Sequence, residues 1–304
     1  MTETPNSTRP GPAPPDRRAP TLRNRLLDLW EITLYQVFRR LPIDLAPTLS
    51  RRSTVRNIRE QRPWVVERAR ANLKRHRPEA SDAQIEAWVN AFLDNIGRQV
   101  GEVATVGRQY AAGRIEIVEP ERAQATAKRT AVVALCLHTG NWEVMLEALQ
   151  AIGLSVVCAP IEWESRGQTW VISDLRKRNG LRLLPPDAGG LRAAMQEIRD
   201  GGILAIFVDE AREGKLMAPL FGRPPHLDGN LGIAARIARR TRTPVVLCYV
   251  TRIEDRRFRV FFGEAIDLPP DTKNPLDDVQ FLNDLIEPVI LERLEQWFFL
   301  DDEF

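Results

Sequence analysis

From residue 113 onward, short β-branched and apolar runs alternate with stretches of helical spacing, and this alternation constrains the fold more than any other feature of the chain. The runs are IEIV from Ile115, AVVALCL at 131–137, LSVVCAP from Leu154, LRLLP from Leu181, ILAIFV at 203–208, PVVLCYV from Pro244 and RFRVFF from Arg257. Strands that are apolar at every position have both faces buried. The pattern therefore predicts an α/β fold with a mostly parallel or mixed sheet covered by helices. Sheets of this kind bind ligands beyond the carboxyl ends of their strands. The run 131–137 ends at His138, which places that histidine at such an end.

The first 112 residues read differently. Residues 1–20 are rich in proline and polar groups, lack an apolar core and predict a disordered tail. Residues 21–112 predict a helical, membrane-docking and packing region, and residues 113–304 the α/β domain. In 22–41, Leu22, Leu26, Leu29, Trp30, Thr33, Leu34 and Val37 recur at helical spacing, with Arg23, Arg25, Arg39 and Arg40 near the two ends. Such a helix fits a membrane interface, and it fits packing on the domain equally well. A second helix begins at Ser81, which with Gln84 forms a capping-box pattern, and continues through the stripe Ile85, Trp88, Val89, Phe92, Ile96 and Val100. No apolar run reaches the roughly 18 residues needed to span a bilayer.

Charge is unevenly spread: residues 17–77 carry 16 Lys or Arg against 5 Asp or Glu, whereas residues 264–304 carry 2 against 12. A basic segment suits an anionic membrane surface, nucleic acid or an acidic carrier protein, and the count alone does not choose. No zinc or RNA-binding module accompanies it, so a nucleic-acid partner is not expected. Cys136, Cys158 and Cys248 each lie inside an apolar run and read as buried free thiols.

The segment HTGNWE, residues 138–143, carries the chemistry. Gly140 permits a sharp reversal after the strand, and Asn141 is a good helix cap. His138 would lie on the loop and Glu143 in the first helical turn. That arrangement lets the carboxylate hold one imidazole nitrogen while the other acts as a general base. A metal site would need a third ligand, and none is placed to serve, since His76 sits in a charged helical stretch and His226 in a proline-rich loop. The patterns GxSxG, GxxxxGK[ST] and GxGxxG are absent.

HTGNWE, the later FVDEAREGKLMAPLFGRP and the preceding NLKRHRPEASDAQIEAWVNAFLDNIGRQVGE together resemble the bacterial lipid A biosynthesis (lauroyl/myristoyl) acyltransferase family, from about residue 25 to about 297. The family pattern is HxxxxD or HxxxxE, and His138 and Glu143 match its catalytic positions. The resemblance implies a transferase on the cytoplasmic face of the bacterial inner membrane, peripheral to it. Such an enzyme moves a fatty acyl chain from an acyl carrier protein or coenzyme A thioester to a hydroxyl, or amine, of a lipid or glycolipid such as a lipid A precursor. It implies no cofactor and no metal.

Asn141 and Arg176 are the candidates for oxyanion and charge stabilisation, and Asp209, Glu210, Phe221 and Gly222 for the substrate cleft. Glu210 stands where the family commonly has glutamine. Asp301, Asp302 and Glu303 replace a basic tail, which points to an acceptor of lower negative charge. The competing reading is a non-catalytic lipid- or acyl-carrier-binding relative, which would have no need of His138 and Glu143 together.

Overall fold

The computed structural model describes residue 19 and residues 21–159, 165–185, 188–212 and 214–304; apart from Ala19, the proline-rich start lies outside the described residues. Four helices come first: α1 (Leu22–Phe38), α2 (Leu45–Gln61), α3 (Pro63–His76) and α4 (Asp82–Val103). The α/β part follows as β1 (Ile115–Ile117), α5 (Pro120–Arg129), β2 (Val132–Cys136), α6 (Glu143–Ala151), β3 (Val156–Cys158) and α7 (Arg166–Arg178). It continues with β4 (Arg182–Leu183), α8 (Ala188–Arg199), β5 (Ile203–Phe207) and the small hairpin β6 (Ala211–Arg212) and β7 (Lys215–Leu216). The chain ends with α9 (Gly229–Thr241), β8 (Val245–Glu254), β9 (Arg257–Phe262), α10 (Pro275–Glu292) and a C-terminal segment.

Seven strands form one mixed sheet in the order β1-β9-β8-β2-β5-β3-β4. β2 is central and pairs in parallel with β5 on one side and β8 on the other. β3 and β4 extend the parallel part, and β8–β9 is antiparallel. This is the α/β architecture that the alternating runs predict.

The apolar runs of β2 and β5 are explained by the two cores they separate, whereas β9 alternates and buries only Phe258, Val260 and Phe262. Val133 and Leu135 of β2, with Leu204 and Ile206 of β5, face one core together with α9, α10 and the helices α3 and α4. Val132, Ala134 and Cys136, with Ile203, Ala205 and Phe207, face the other core against α5, α6 and α7. Both faces are buried, so alternation with polar residues is absent. All three cysteines are buried and free.

The capping box at Ser81 forms as expected, with Ser81 Oγ accepting from the Gln84 N–H at 3.3 Å and Gln84 Oε1 from the Ser81 N–H at 2.9 Å. Ile85, Val89 and Phe92 of the α4 stripe are buried, while Val100 is exposed. Val100 turns outward because α2 lies against a different face of α4, where Gly101 has no side chain: a Cβ there would come within 2.4 Å of the Ala46 carbonyl oxygen. Ser50 Oγ ties this close contact, donating to Gly97 O and accepting from the Gly101 N–H.

α1 both packs on the domain and leaves an apolar face uncovered. Asp28 and Glu31 cap the start of α7 through the Gly167 N–H and the Ser165 hydroxyl, and the Tyr35 hydroxyl donates to Asp174. Leu22, Leu26, Leu29, Trp30 and Val37 remain exposed, Trp30 at 62%. Among the described residues, no helix is long and apolar enough to cross a membrane.

Candidate active site

The sheet's register creates the site. Cys136 of β2 stands opposite Phe207 of β5, so two residues further along each strand His138 meets Asp209. The His138 Nδ1–H donates to Asp209 Oδ1 at 2.8 Å, and the His138 backbone N–H donates to Oδ2 at 2.8 Å. Trp297 Nε1–H gives Oδ2 a second donor at 2.9 Å. Asp209 is completely buried, and three N–H donors compensate its carboxylate. With Nδ1 committed, Nε2 is the nitrogen left to take a proton.

This corrects the expected role of Glu143. Among the described residues it does not hold His138; it forms a two-pronged pair with Arg176, at 2.8 Å from Nη2 and 3.2 Å from Nε. Trp142 Nε1–H adds a third donor to the same carboxylate. Both side chains are almost wholly buried. Burial alone would lower the basicity of the Arg176 guanidinium; the adjacent Glu143 charge and hydrogen bonds outweigh it and push the group above its ordinary range. Arg176 also lies over the Phe207 ring, 5.8 Å from its centre. A guanidinium held this way is a fixed brace between α6 and α7 rather than a free cation, which changes the reading of Arg176 as charge stabiliser.

The loop between β2 and α6 is clamped from several directions. Gly140 adopts φ +57°, and a Cβ there would come within 2.9 Å of Val250 O. Thr139 Oγ1 donates to that same carbonyl. Asn141 Oδ1 accepts from the Glu143 N–H at the start of α6, one residue ahead of the helix cap at Trp142, while its amide donates to Glu102. The Asn141 side chain is thereby occupied as a loop clamp, so an oxyanion donor at this position would have to be a backbone N–H.

Glu102 pairs with Arg252 through two hydrogen bonds of 2.7 and 2.8 Å, and Arg252 Nε donates to Asn95. The Asn95 amide reaches the carbonyls of Gly140 and Gln296. Sequence reasoning missed Asn95, Glu102 and Arg252. The available signal for Asn95 and Glu102 was their helical spacing of seven residues beside the apolar stripe of α4, which carries them to its buried side.

The C-terminal segment is a strap across the site and not a loose tail. The Phe298 N–H donates to His138 O and the Gly140 N–H to Gln296 O, flanking a bridge between Thr139 and Trp297. Phe298 and Phe299 join Phe207 and Trp142 in a ring of aromatics around the His138 imidazole, with centroids 4.5–6.5 Å away. Of the strap's acids, Asp301 and Asp302 are partly buried and Glu303 is exposed. Burial pushes the Asp301 carboxyl up to about 6, and burial with the neighbouring Asp301 charge pushes Asp302 up to about 7.

The remaining cleft candidates lie close by in the fold. Glu210 follows Asp209, accepts from the Asn230 N–H at the start of α9 at 2.8 Å, and is raised by burial to about 7. Phe221 takes a left-handed φ of 64°, with its N–H held by Glu287 and its ring against His76, Trp297 and Phe304. At Gly222, nothing lies within 4 Å of where a Cβ would sit. Among the described residues no group of three or more His, Cys, Asp or Glu is arranged to hold a metal ion.

Comparison with known proteins gives a family match over nearly the whole chain: the model of the bacterial lipid A biosynthesis acyltransferases matches residues 24–304. No curated protein matches. Among solved structures, the chain is similar to the 1-acyl-sn-glycerophosphate (LPA) acyltransferase PlsC from Thermotoga maritima, at 11% identity and a TM-score of 0.36, with 89% of this chain and 97% of that one covered.

Proposed function

Because the chain belongs to the bacterial lipid A biosynthesis acyltransferase family, an enzyme family that transfers acyl groups to lipids, we propose that His138 is the general base of that transfer and that the donor is an acyl thioester of acyl carrier protein or coenzyme A. The observation that carries this reading is the His138–Asp209 pair at the carboxyl ends of β2 and β5, with Nε2 left available. Nε2 takes the proton of the acceptor hydroxyl as its oxygen attacks the thioester carbonyl. The tetrahedral adduct then collapses, the C–S bond breaks, and the thiolate recovers the proton from the imidazolium. No covalent enzyme intermediate is needed.

Asp209 holds the tautomer and supports the imidazolium. Backbone N–H groups at the start of α6, beside Asn141 and Trp142, are the donors best placed for the oxyanion. The aromatic ring around His138 excludes water and suits an acyl chain. Glu143 and Arg176 are positioning residues that fix α6, and Phe221, Gly222 and Glu210 belong to the acceptor side of the cleft. The acceptor is a lipid or glycolipid such as a lipid A precursor.

The uncovered stripe on α1, with Arg23 and Arg25 beside it, supports peripheral docking to an anionic membrane surface, the cytoplasmic face of the bacterial inner membrane. A binding protein without chemistry would not need a histidine oriented by a buried carboxylate, which weighs against the non-catalytic reading. The test is mass spectrometry of lipid extracts from cells with the gene intact, deleted or carrying His138→Ala. Deletion and His138→Ala should both accumulate a lipid lighter by one acyl chain. A lipid change on deletion that His138→Ala does not reproduce would sink the catalytic assignment.

A further inference from the structure

Trp297 is fully buried, and a buried indole N–H needs an acceptor. Its acceptor is not a backbone carbonyl but Asp209 Oδ2, the oxygen that also receives the His138 backbone N–H. The ring does not depend on that bond for its place. The strap is fixed on either side by the Gly140–Gln296 and Phe298–His138 backbone hydrogen bonds, and Phe221, Phe299 and Phe304 surround the indole with centroids 5.5–5.9 Å away. Packing thus delivers a preoriented donor to the carboxylate that touches the imidazole.

We propose that Trp297 is a positioning residue of the acyl-transfer site, whose indole N–H fixes Asp209 and limits how strongly that carboxylate draws the His138 imidazole toward its protonated form. The proposal rests on His138 acting as base. A carboxylate shared among three donors holds less uncompensated charge than one shared between two. Removing the indole N–H leaves more negative charge facing Nδ1 and favours the imidazolium. Of the other charged groups around this point, Glu143 and Arg176 pair with each other, and the Asp301 and Asp302 carboxyls interact with one another and with Arg68. Glu210, next to Asp209 in the chain, accepts from the Asn230 N–H and senses the Asp209 charge, so its titration is followed alongside that of His138. The rings of Trp142, Phe207, Phe298 and Phe299 carry no charge.

The chain has only three histidines, His76, His138 and His226, so a histidine-labelled protein gives a readable NMR titration, assigned with His138→Ala. The full-length protein is titrated as wild type, as Trp297→Phe, and with β-(3-benzothienyl)alanine at position 297, which replaces the N–H by sulfur and keeps the shape of the indole. The His138 midpoint should rise by about half a unit to one unit in both variants, with His76 and His226 unmoved. The lipid extracts of cells carrying Trp297→Phe should contain the under-acylated species at a level between wild type and His138→Ala. An unchanged His138 midpoint in the benzothienyl protein overturns the proposal even if Trp297→Phe fails to fold. A His138→Ala strain with normal lipids overturns instead the catalytic reading beneath it.

Discussion

Two buried carboxylates, Asp209 and Glu143, stand at the same end of the sheet, and they are satisfied in different ways. Asp209 is held by three N–H donors, one of them the imidazole of His138. Glu143 is held by a guanidinium and one indole N–H. The first arrangement leaves a proton acceptor, Nε2, facing outward from the pair. The second closes on itself and spends its charge on joining α6 to α7. Proximity in the HTGNWE segment does not decide which acid serves the histidine; the β2–β5 register does.

The largest expected effect separates the two on activity. Asp209→Asn keeps the shape but removes the carboxylate that supports the imidazolium, and should slow acyl transfer by about 10³-fold. Its melting temperature should fall far less than that of a Glu143 variant. Measuring both quantities on both variants tests the division of labour: equal loss of activity with equal stability would show that the two acids share one function.

On stability the order reverses. Arg176→Met or Glu143→Met strands a buried charge, and each should cost about 3–5 kcal/mol in denaturant unfolding. The double variant Glu143→Met/Arg176→Met removes both charges and should recover most of that loss, because apolar side chains of similar volume often replace a buried pair at little cost. If the double variant also retains transfer activity, Glu143 has no part in proton movement. A double variant no more stable than either single one would mean that the brace supplies something beyond mutual neutralisation.

A third acid, Asp302, sharpens the contrast because burial and the neighbouring Asp301 charge raise it to about 7 from an ordinary 3.8. In the folded chain it therefore keeps its proton over a range in which the unfolded chain has lost it. The folded state binds more protons there, so stability falls as pH rises from about 4 to about 7 and stays low above. Asp302→Asn should flatten that decline and raise stability at pH 8 by about 1–2 kcal/mol. Thermal unfolding at pH 5 and pH 8 checks the sign: a variant less stable than wild type at pH 8 would contradict it.

Local features of this fold were legible in the sequence, and long-range ones were not. The run 131–137 and the Ser81–Gln84 cap depend on neighbours a few residues apart, and both form as read. The sequence marks Asp209 as a cleft residue, but its partnership with His138 spans 71 residues and depends on β5 lying beside β2, an order that periodicity does not encode. A loop histidine followed by an acid in the first helical turn points to a His138–Glu143 pair, as does the family pattern, but the carboxylate turns to α7 instead. Its partner there, Arg176, lies 33 residues further along the chain, a separation at which spacing gives no sign of the pair. The acids at 301–303 read as a charged tail, because nothing local reveals that Asn72 binds the carbonyls of Leu300 and Asp302 and holds the strap down.

The smallest stability effect belongs to the surface far from these buried charges. Leu26 and Trp30 lie on the uncovered face of α1, at 58% and 62% exposure, so replacing both with serine removes little packing and should change unfolding stability by no more than about 0.5 kcal/mol per site. Membrane affinity should respond instead, since an interfacial helix binds by burying that stripe beneath the headgroups while its arginines meet anionic lipid. Flotation with vesicles of zwitterionic and anionic lipid separates the two contributions. Leu26→Ser/Trp30→Ser should lose binding to both, whereas Arg23→Gln/Arg25→Gln should lose chiefly the anionic preference. Retained vesicle binding in the first variant would mean that α1 docks against something other than a lipid surface.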